Sequence, residues 1–205
     1  NLNFELIPHT ANILSLKKSK IIKENVSVPK FHFAGGIYEN MNKDALLRIY
    51  NVICEIFLEF ELELCTTEIP VELIKDNRVK QRYYNKEELI ISQNNSDVLI
   101  LPQAFDSGKL EMIKNNFPTK TMEYVCSGTP ILVHSPKDSY LAYITRKYKF
   151  GVLVDDKSTE QLKNGILRLI NDNQYRQELI KNAEGFAKSR NSQIWSMYLK
   201  ERICK

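Results

Sequence analysis

The most constraining feature of the sequence is a regular alternation between short apolar runs and longer amphipathic stretches. The apolar runs have the length of strands, and the stretches between them carry apolar residues at helical spacing. Strand–helix alternation of this kind predicts a parallel sheet with helices on both faces. We therefore expect an α/β fold, a doubly wound Rossmann-like domain. The predicted strands are Phe31–Ala34, Phe60–Cys65, Val79–Tyr84, Val98–Leu101, Ile131–Val133 and Gly151–Val154. A further strand is predicted at Asn3–Pro8, ahead of this domain.

Capping residues indicate where several of the helices begin. Asn85 and Glu88 have the spacing of a capping box, and Ser158 and Gln161 repeat it. The other predicted helix starts are Asn42, ahead of an apolar stripe through Leu46, Ile49, Ile53, Phe57 and Phe60, and Ser135 followed by Pro136. The segment Gln103–Asn116 is polar and is expected to be a loop.

One stretch, Phe117–His134, combines a short helix with the start of a strand. Thr119 is expected to cap a helix that runs from about Lys120 to Ser127, and Gly128 and Pro130 end it. Lys120 lies at the N-terminus of this helix, where the helix dipole disfavours a cation. An anion bound at the same place would explain the lysine. Glu123, one turn further on, could accept hydrogen bonds from a ribose diol.

Ligands of doubly wound sheets bind at the carboxyl ends of the strands. The loops at that edge are expected to be 35–42, 83–86, 102–119 and 134–138. Gly35 and Gly36 would let backbone amides approach a phosphate. Lys43, at the start of the next helix, is a second cation in an unfavourable place. Two solvated surface lysines are the alternative interpretation, and the sequence leaves both open.

Several kinds of site are not indicated by any motif. The G-x-G-x-x-G and G-x-x-x-x-G-K patterns are absent, and no Ser-His-Asp or Cys-His pairing can be identified. No cluster has metal-ligand spacing, so neither a catalytic residue nor a metal site is predicted. Of the three histidines, only His134, at the end of a predicted strand, is a candidate for a site.

Composition excludes other classes of protein. With 43% hydrophobic and 26% charged residues, the chain is expected to be soluble and globular, without a transmembrane helix or secretory signal. Its net charge of +4 comes from charges spread along the chain, which argues against a nucleic-acid partner. A cluster of lysines at positions 17, 18, 20 and 23 is interpreted as a solvated linker, with a membrane surface as the alternative. The four cysteines lack C-x-x-C spacing and indicate a reduced, cytoplasmic protein.

The segment Phe117–Val133 (FPTKTMEYVCSGTPILV) resembles the signature region of GT-B-fold glycosyltransferases of family 4. Members of that family often read F-P-(S/T)-K-x-x-E-Y-x-x-x-G-x-P-I there. Other segments resemble the family in the same order: the strand and glycine loop 33–36, the strand 96–102, and the closing strand and helices from Gly151. The resemblance extends over residues 31–203 and indicates the C-terminal half of a GT-B fold.

The resemblance implies binding of a nucleotide-sugar donor and transfer of its sugar with retention of configuration, without a metal or separate cofactor. Glu123 would hold the ribose, and Tyr84 would border the base through backbone groups. The diphosphate would face Thr119, Lys120 and the glycine loop. The donor-binding residues implied in this way are Gly35, Gly36, Lys43, Tyr84, Asn115, Phe117, Thr119, Lys120 and Glu123. A UDP-sugar is the expected donor, and a GDP-sugar is the alternative.

The chain departs from the family pattern in three ways. Asn115 stands where many members have a glutamate, and Gly36 stands where many have an arginine. GT-B enzymes also have two Rossmann-like domains, and only one is expected here. We predict that residues 1–29 end a missing N-terminal domain and continue as a linker, that 30–191 bind the nucleotide sugar, and that 192–205 form a crossover helix.

The expected function is the donor-binding half of a hexosyl- or N-acetylhexosaminyltransferase in bacterial surface polysaccharide or glycolipid synthesis. A sugar or lipid-linked acceptor would bind through the missing domain, so this chain is expected to have little activity alone. The expected location is cytoplasmic, with peripheral association at the inner face of the membrane as an option. Two alternatives remain open, a GT-B nucleotide-sugar 2-epimerase and a non-catalytic Rossmann-like module in which Asn115 marks decay of the site.

Overall fold

A computed structural model describes residues 9–12, 26–106 and 108–203 of the chain. The predicted strand at Asn3–Pro8, the lysine cluster and Cys204 lie outside the described residues. The described part forms a six-stranded sheet in which every paired strand is parallel. The strands are β1 (Lys30–Ala34), β2 (Glu61–Cys65), β3 (Val79–Gln81), β4 (Val98–Pro102), β5 (Ile131–His134) and β6 (Val152–Val154).

Helices connect the strands, and the described residues contain eight of them. They are α1 (Lys43–Ile56), α2 (Lys86–Asn95), α3 (Leu110–Asn115), α4 (Lys120–Tyr124), α5 (Tyr140–Tyr148), α6 (Thr159–Asn171), α7 (Asn173–Ser189) and α8 (Ser192–Ile203). No helix of the described residues is both long and apolar enough to cross a membrane. The described cysteines, Cys54, Cys65 and Cys126, are all free thiols.

The strand order is β3-β2-β1-β4-β5-β6. This is the order of a doubly wound Rossmann sheet, so the predicted fold class is confirmed. The chain leaves β1 towards β2 on one side and later returns to place β4 on the other side. The order therefore reverses between β1 and β4, where Phe31 pairs with Val98 and His32 with Leu99. A crevice at the carboxyl ends of these two strands is the expected ligand position.

Two hydrophobic clusters cover the two faces of the sheet. In β4, Val98 and Ile100 belong to the cluster with α1 and α6, whereas Leu99 and Leu101 belong to the cluster with α4, α5 and α7. Successive side chains of a strand point to opposite faces, so a strand buried on both faces needs an unbroken apolar run. The run at β4 is buried throughout, which is why its sequence predicted a central parallel strand correctly.

Three predicted helix caps differ from the structure. Asn42 precedes α1 but makes no capping bond, because its side chain is engaged by the loop before it. Helix α5 begins after Ser139, whose Oγ accepts from the Ala142 amide, so the predicted start at Ser135 and Pro136 is wrong. Ser135 is buried instead and donates to Gln103 at 2.6 Å. Thr119 is itself helical and makes no side-chain cap.

Other local predictions are confirmed in full or in part. Asn85 and Glu88 form the complete capping box of α2. Ser158 caps α6, but the Gln161 side chain donates to Asp156 rather than back to the cap. The apolar stripe of α1 ends at Ile56, so Phe57 and Phe60 lie beyond the helix. The segment predicted as a polar loop, 103–116, contains the short helix α3.

The described N-terminal residues are attached to the far end of the domain. The Ala11 amide donates to the Arg190 carbonyl at 2.7 Å, and the Ser192 amide donates to the Ala11 carbonyl at 2.9 Å. This bridge joins residues 9–12 to the junction between α7 and α8. The helix predicted for the C-terminal segment is present as α8.

Candidate functional site

The loop after β1 forms one side of the crevice. Gly35 has a φ of 137°, a conformation that residues with a side chain rarely adopt, and its amide donates to the Cys65 carbonyl at 3.0 Å. Asn42 braces the loop from inside, donating to the Gly36 carbonyl and accepting from the Tyr38 amide, both at 2.9 Å. Asn42 therefore stabilises the loop and does not cap the helix.

A long-range hydrogen bond joins the end of β1 to helix α4. The amide of Ala34, the last residue of β1, donates to the Tyr124 hydroxyl at 2.9 Å across 90 residues of sequence. Tyr124 is fully buried, and burial raises the pKa of its hydroxyl. The bond places the rest of α4 beside the carboxyl end of β1.

The two charged residues of α4 pair with each other. Lys120 Nζ lies 2.7 Å from Glu123 Oε2, and the two side chains are 27% and 50% exposed. Because α4 has only five residues, its dipole is small. Glu123 already supplies the negative charge that was expected beside Lys120. An exposed pair of this kind contributes little to stability, so both groups can exchange partners when a ligand binds.

Helices α2 and α4 enclose a cleft of about 480 Å³. Thr119, Lys120 and Glu123 line one wall, and Lys86, Leu89 and Ile90 line the other. Further along, the lining consists of Thr10, Asn12, Gln93, Asn94, Met122, Cys126 and Ser127. The volume and the combination of apolar walls with a few charged groups are typical of small-molecule sites.

Lys43 is the first residue of α1, as predicted, but two carboxylates already pair with its charge. Its Nζ contacts Glu39 at 2.6 Å and Glu72 at 3.1 Å, and its side chain is 18% exposed. The hydrogen bonds to Glu39 and then Glu72 raise the pKa of the lysine. In the structure Lys43 is thus already neutralised by two carboxylates. Contact with a ligand would require it to leave them.

The remaining predicted site residues, Tyr84, Asn115 and Phe117, do not line the cleft. The Tyr84 hydroxyl is turned towards the sheet, where it donates to Glu63 at 3.0 Å. Asn115 is exposed at the end of α3, and its Nδ2 donates to the Glu111 carbonyl at 2.9 Å. Phe117 packs edge-on against Tyr140, with ring centroids 5.8 Å apart.

A buried polar network behind α2 was not anticipated from the sequence. Glu63 accepts from His32 Nδ1 at 3.0 Å, from the Tyr84 hydroxyl and from the Ser92 hydroxyl. Burial alone would raise the pKa of Glu63, but the bonds from His32, Ser92 and Tyr84 outweigh it and lower the pKa to about 2. A signal was present, since His32 and Glu63 are polar residues inside predicted strands, and they are direct partners in the sheet register.

Within the described residues, His32, Glu63 and Cys65 place potential metal ligands within 4.8 Å of one another. Coordination through His32 Nδ1 would move the ring proton to Nε2, which is buried and has no partner. Histidine ligands normally donate that second proton to an acceptor. Burial and Glu63 also raise the pKa of the Cys65 thiol to about 12. These residues fit a hydrogen-bonded network better than a metal centre.

His134 is buried and both of its ring nitrogens are occupied. Nδ1 donates to the Val154 carbonyl at 3.0 Å, and Nε2 accepts from Arg48 at 3.2 Å. Burial lowers the pKa of His134 to about 4 despite the bond to Val154, and the charge of Arg48 adds to the lowering. His134 is therefore a neutral structural residue at neutral pH.

Comparison of the sequence with known families identifies a single domain type over much of this region. Residues 71–186, more than half of the 205-residue chain, match the family described as glycosyl transferases group 1. The chain belongs to this glycosyltransferase family. The match includes α2, α4 and the cleft between them. No curated protein sequence is significantly similar to the chain.

Solved glycosyltransferase structures share the fold at low identity. HepE from Anabaena in complex with UDP-glucose superposes with a TM-score of 0.71 and 13% identity, covering 98% of this chain and 57% of HepE. Sucrose-phosphate synthase from Thermosynechococcus elongatus gives a TM-score of 0.66 and 16% identity, covering 98% of this chain and 53% of the synthase. The C-terminal domain of LpcC from Francisella tularensis gives 0.55 and 13%, covering 80% of this chain and 87% of that domain.

These matches confirm the predicted fold as that of one domain of a GT-B glycosyltransferase. The LpcC structure is itself described as the C-terminal domain of a group 1 glycosyltransferase. The chain spans 44% of the glycosyltransferase WaaG and 53% of the sucrose-phosphate synthase, about half the length of these proteins.

Proposed function

We propose that this glycosyltransferase domain binds a nucleotide-sugar donor in the cleft between α2 and α4. The main support is the bond from the Ala34 amide to Tyr124, which brings Lys120 and Glu123 to the end of β1, beside the point where strand order reverses. Ligands of doubly wound sheets bind at this point. The structure of HepE with UDP-glucose gives the same ligand class for a protein of this fold.

The proposed contacts are those that the family resemblance implies, and three of them, Thr119, Lys120 and Glu123, line the cleft. Glu123 binds the ribose hydroxyls, because a carboxylate can accept from both. Lys120 and Thr119 face the diphosphate together with the glycine loop at Gly35 and Gly36. Lys43 reaches the diphosphate after leaving Glu39 and Glu72. The remaining proposed donor contacts are Tyr84, through its backbone to the base, and Asn115 and Phe117 near the sugar.

The finer assignments are proposals on the same basis. The donor is a UDP-sugar, with a GDP-sugar as the alternative, and the enzyme is a retaining family 4 transferase of hexosyl or N-acetylhexosaminyl groups. No residue of this chain is assigned to catalysis, and no metal or separate cofactor is invoked. Residues 1–29 would lead from an N-terminal domain, residues 30–191 bind donor, and residues 192–205 cross back.

The proposed setting is bacterial surface polysaccharide or glycolipid synthesis in the cytoplasm, at the inner face of the membrane where the acceptor is lipid-linked. A sugar or lipid-linked acceptor would be held by the N-terminal domain. The 205-residue chain alone is then expected to bind donor and to transfer little. Robust transfer by this chain would contradict that expectation.

One observation favours a second candidate, a non-catalytic binding module. Asn115 stands at the position of a family glutamate, and its amide is used within its own helix rather than in the cleft. Lys43 is likewise held by two carboxylates. A domain whose donor contacts had decayed would keep the fold and lose the ligand.

Calorimetry on the full chain separates the two candidates. The titrants are UDP, GDP, UDP-glucose and UDP-N-acetylglucosamine, first with the wild type and then with Glu123→Ala. We expect binding by the wild type and at least a 10-fold loss in the variant, since a hydrogen bond to a charged group contributes about 1.5–3 kcal/mol.

Glu111→Ala is the matched control for this substitution. Glu111 pairs with Lys114 three residues along an exposed helix, as Glu123 does with Lys120, but it does not line the cleft. Unchanged binding in Glu111→Ala and weakened binding in Glu123→Ala support donor binding. Absence of binding to every nucleotide supports the non-catalytic module.

A further inference from the structure

Helix α2 has two faces with different surroundings. Residues 86, 89, 90, 93 and 94 line the cleft, whereas residues 88, 91, 92 and 95 border a shallow depression that also contains Glu63 and Tyr84. The spacing of three and four residues within each set places the two sets on opposite sides of the helix. Glu63 therefore lies behind the wall of the cleft rather than in it.

Apolar burial alone does not hold this wall in place. Of the ten residues of α2, only Gln93 is buried, and the apolar Leu89, Ile90 and Ile91 are partly or fully exposed. Most helices in folded domains are positioned by an apolar face packed on the core. Polar contacts must therefore contribute to the position of α2.

Those polar contacts converge on one carboxylate. Glu63 accepts from Ser92 of α2 with one oxygen and from Tyr84, just before α2, with the other. His32 holds the carboxylate from β1 at 3.0 Å. A further bond, from Thr129 Oγ1 to the Gln93 carbonyl at 2.9 Å, ties the end of α2 to the segment after α4.

We infer that Glu63 is a positioning residue of the nucleotide cleft, which fixes the α2 wall and the Tyr84 segment against the sheet. This inference rests on the proposed function, because it assigns Glu63 a role in binding at that same cleft. Glu63 makes no contact with a ligand there. It acts through Ser92 and Tyr84, and its loss leaves α2 able to move away from α4.

The charged and titratable groups around Glu63 favour the ionised carboxylate that this role needs. His32 faces it from β1 and Cys65 from β2, and Arg82 Nε, after β3, lies 4.0 Å from Oε2. Tyr84 and Ser92 donate from the segment before α2 and from α2 itself. Lys120 of α4 adds a positive charge near Cys65. We therefore expect the anchor to be intact throughout the neutral pH range.

The test compares Glu63→Gln, Ser92→Ala and their double variant with the wild type in two measurements. The first is amide hydrogen exchange of α2, which needs no nucleotide, and the second is the dissociation constant for UDP. We expect exchange in residues 86–95 to rise about 10-fold in Glu63→Gln, and the UDP dissociation constant to rise about 5-fold. Because both residues act through one contact, the double variant should weaken UDP binding no more than Glu63→Gln alone.

Glu61→Gln is the matched control, since Glu61 lies on the same strand and its carboxylate contacts Lys30 rather than α2. Unchanged exchange of α2 in Glu63→Gln, or an equal rise in Glu61→Gln, overturns the inference. So does unchanged UDP affinity in a variant whose α2 exchanges faster, because Glu63 would then be only structural. If Glu63→Gln does not fold, Ser92→Ala decides by the same two measurements.

The two measurements also separate this inference from the function on which it rests. If the wild type binds no nucleotide, the proposed function fails, and the role of Glu63 in fixing a nucleotide cleft fails with it. Faster exchange of α2 would then mark Glu63 as a structural anchor only. If the wild type binds and the variants bind equally well, the proposed function stands and the inference alone is overturned.

Discussion

Glu63 and Glu123 lie on opposite sides of helix α2, and they differ in what holds them. Glu63 accepts from His32, Tyr84 and Ser92, which come from three different segments, and its side chain is 11% exposed. Glu123 has one partner, three residues before it, and its side chain is 50% exposed. Both are acidic residues beside the same helix, yet one is committed to the fold and the other is available to a ligand.

The difference teaches how to separate a supporting carboxylate from a binding one. Removing a carboxylate that satisfies several buried donors leaves each donor without a partner, at a cost of about 1–3 kcal/mol per group. Removing an exposed carboxylate with one flexible partner costs almost nothing in the free protein. Stability should therefore depend more strongly on Glu63, and ligand affinity more strongly on Glu123.

The largest expected effect is the loss of free energy of unfolding when Glu63 is removed. Glu63→Ala leaves His32, Ser92 and Tyr84 without their acceptor, so we expect the free energy of unfolding to fall by about 3 kcal/mol. Glu123→Ala should change it by less than about 0.5 kcal/mol. Urea unfolding followed by circular dichroism measures both. Equal losses in the two variants would remove the distinction between them.

Acid titration should sharpen the same contrast with a smaller effect. The folded pKa of Glu63, about 2, lies below its ordinary value of 4.5, so its contribution to stability is complete above pH 4.5 and is lost as the pH falls towards 2. The pKa of His134 is lowered from 6.5 to about 4, so its contribution to stability is complete above pH 6.5 and is lost as the pH falls to 4. Only the window below pH 4.5 depends on Glu63.

In Glu63→Gln, the stability lost below pH 4.5 should therefore be smaller than in the wild type by about 2 kcal/mol. The stability lost above pH 4.5 should be unchanged. Urea midpoints measured from pH 3 to pH 7 give the curves of the wild type and the variant. An unaltered slope below pH 4.5 in Glu63→Gln would show that its carboxylate is not held ionised by the network.

The smallest expected effect concerns Lys43, whose partners resemble those of Lys120. Glu72→Gln removes one of the two carboxylates that hold Lys43, which makes the lysine easier to recruit to a phosphate. We expect UDP to bind about 2-fold more tightly, and the gain to shrink in high salt. Calorimetry at two salt concentrations measures it, with Glu68→Gln, on the same loop, as control. Weaker binding in Glu72→Gln would place Lys43 outside the site.

Much of the fold could be predicted because its signals are local. The apolar run at β4 and the capping box of α2 each lie within a few neighbouring residues, and both were identified correctly. The start of α5 was predicted wrongly although Ser135 and Pro136 carry a local signal. Ser135 is drawn into a buried contact with Gln103, 32 residues away, and Ser139 caps the helix instead.

The sequence by itself determined the fold class, because alternating strand and helix periods leave few architectures open, and it identified the glycosyltransferase family through the motif around Lys120 and Glu123. Only the tertiary structure decided which acidic residue is held by buried donors and which lies exposed beside the cleft. Glu63 meets His32 and Ser92 across 31 and 29 residues, and Tyr124 meets Ala34 across 90. Contacts of that range depend on strand order and register, and no short segment of sequence encodes them.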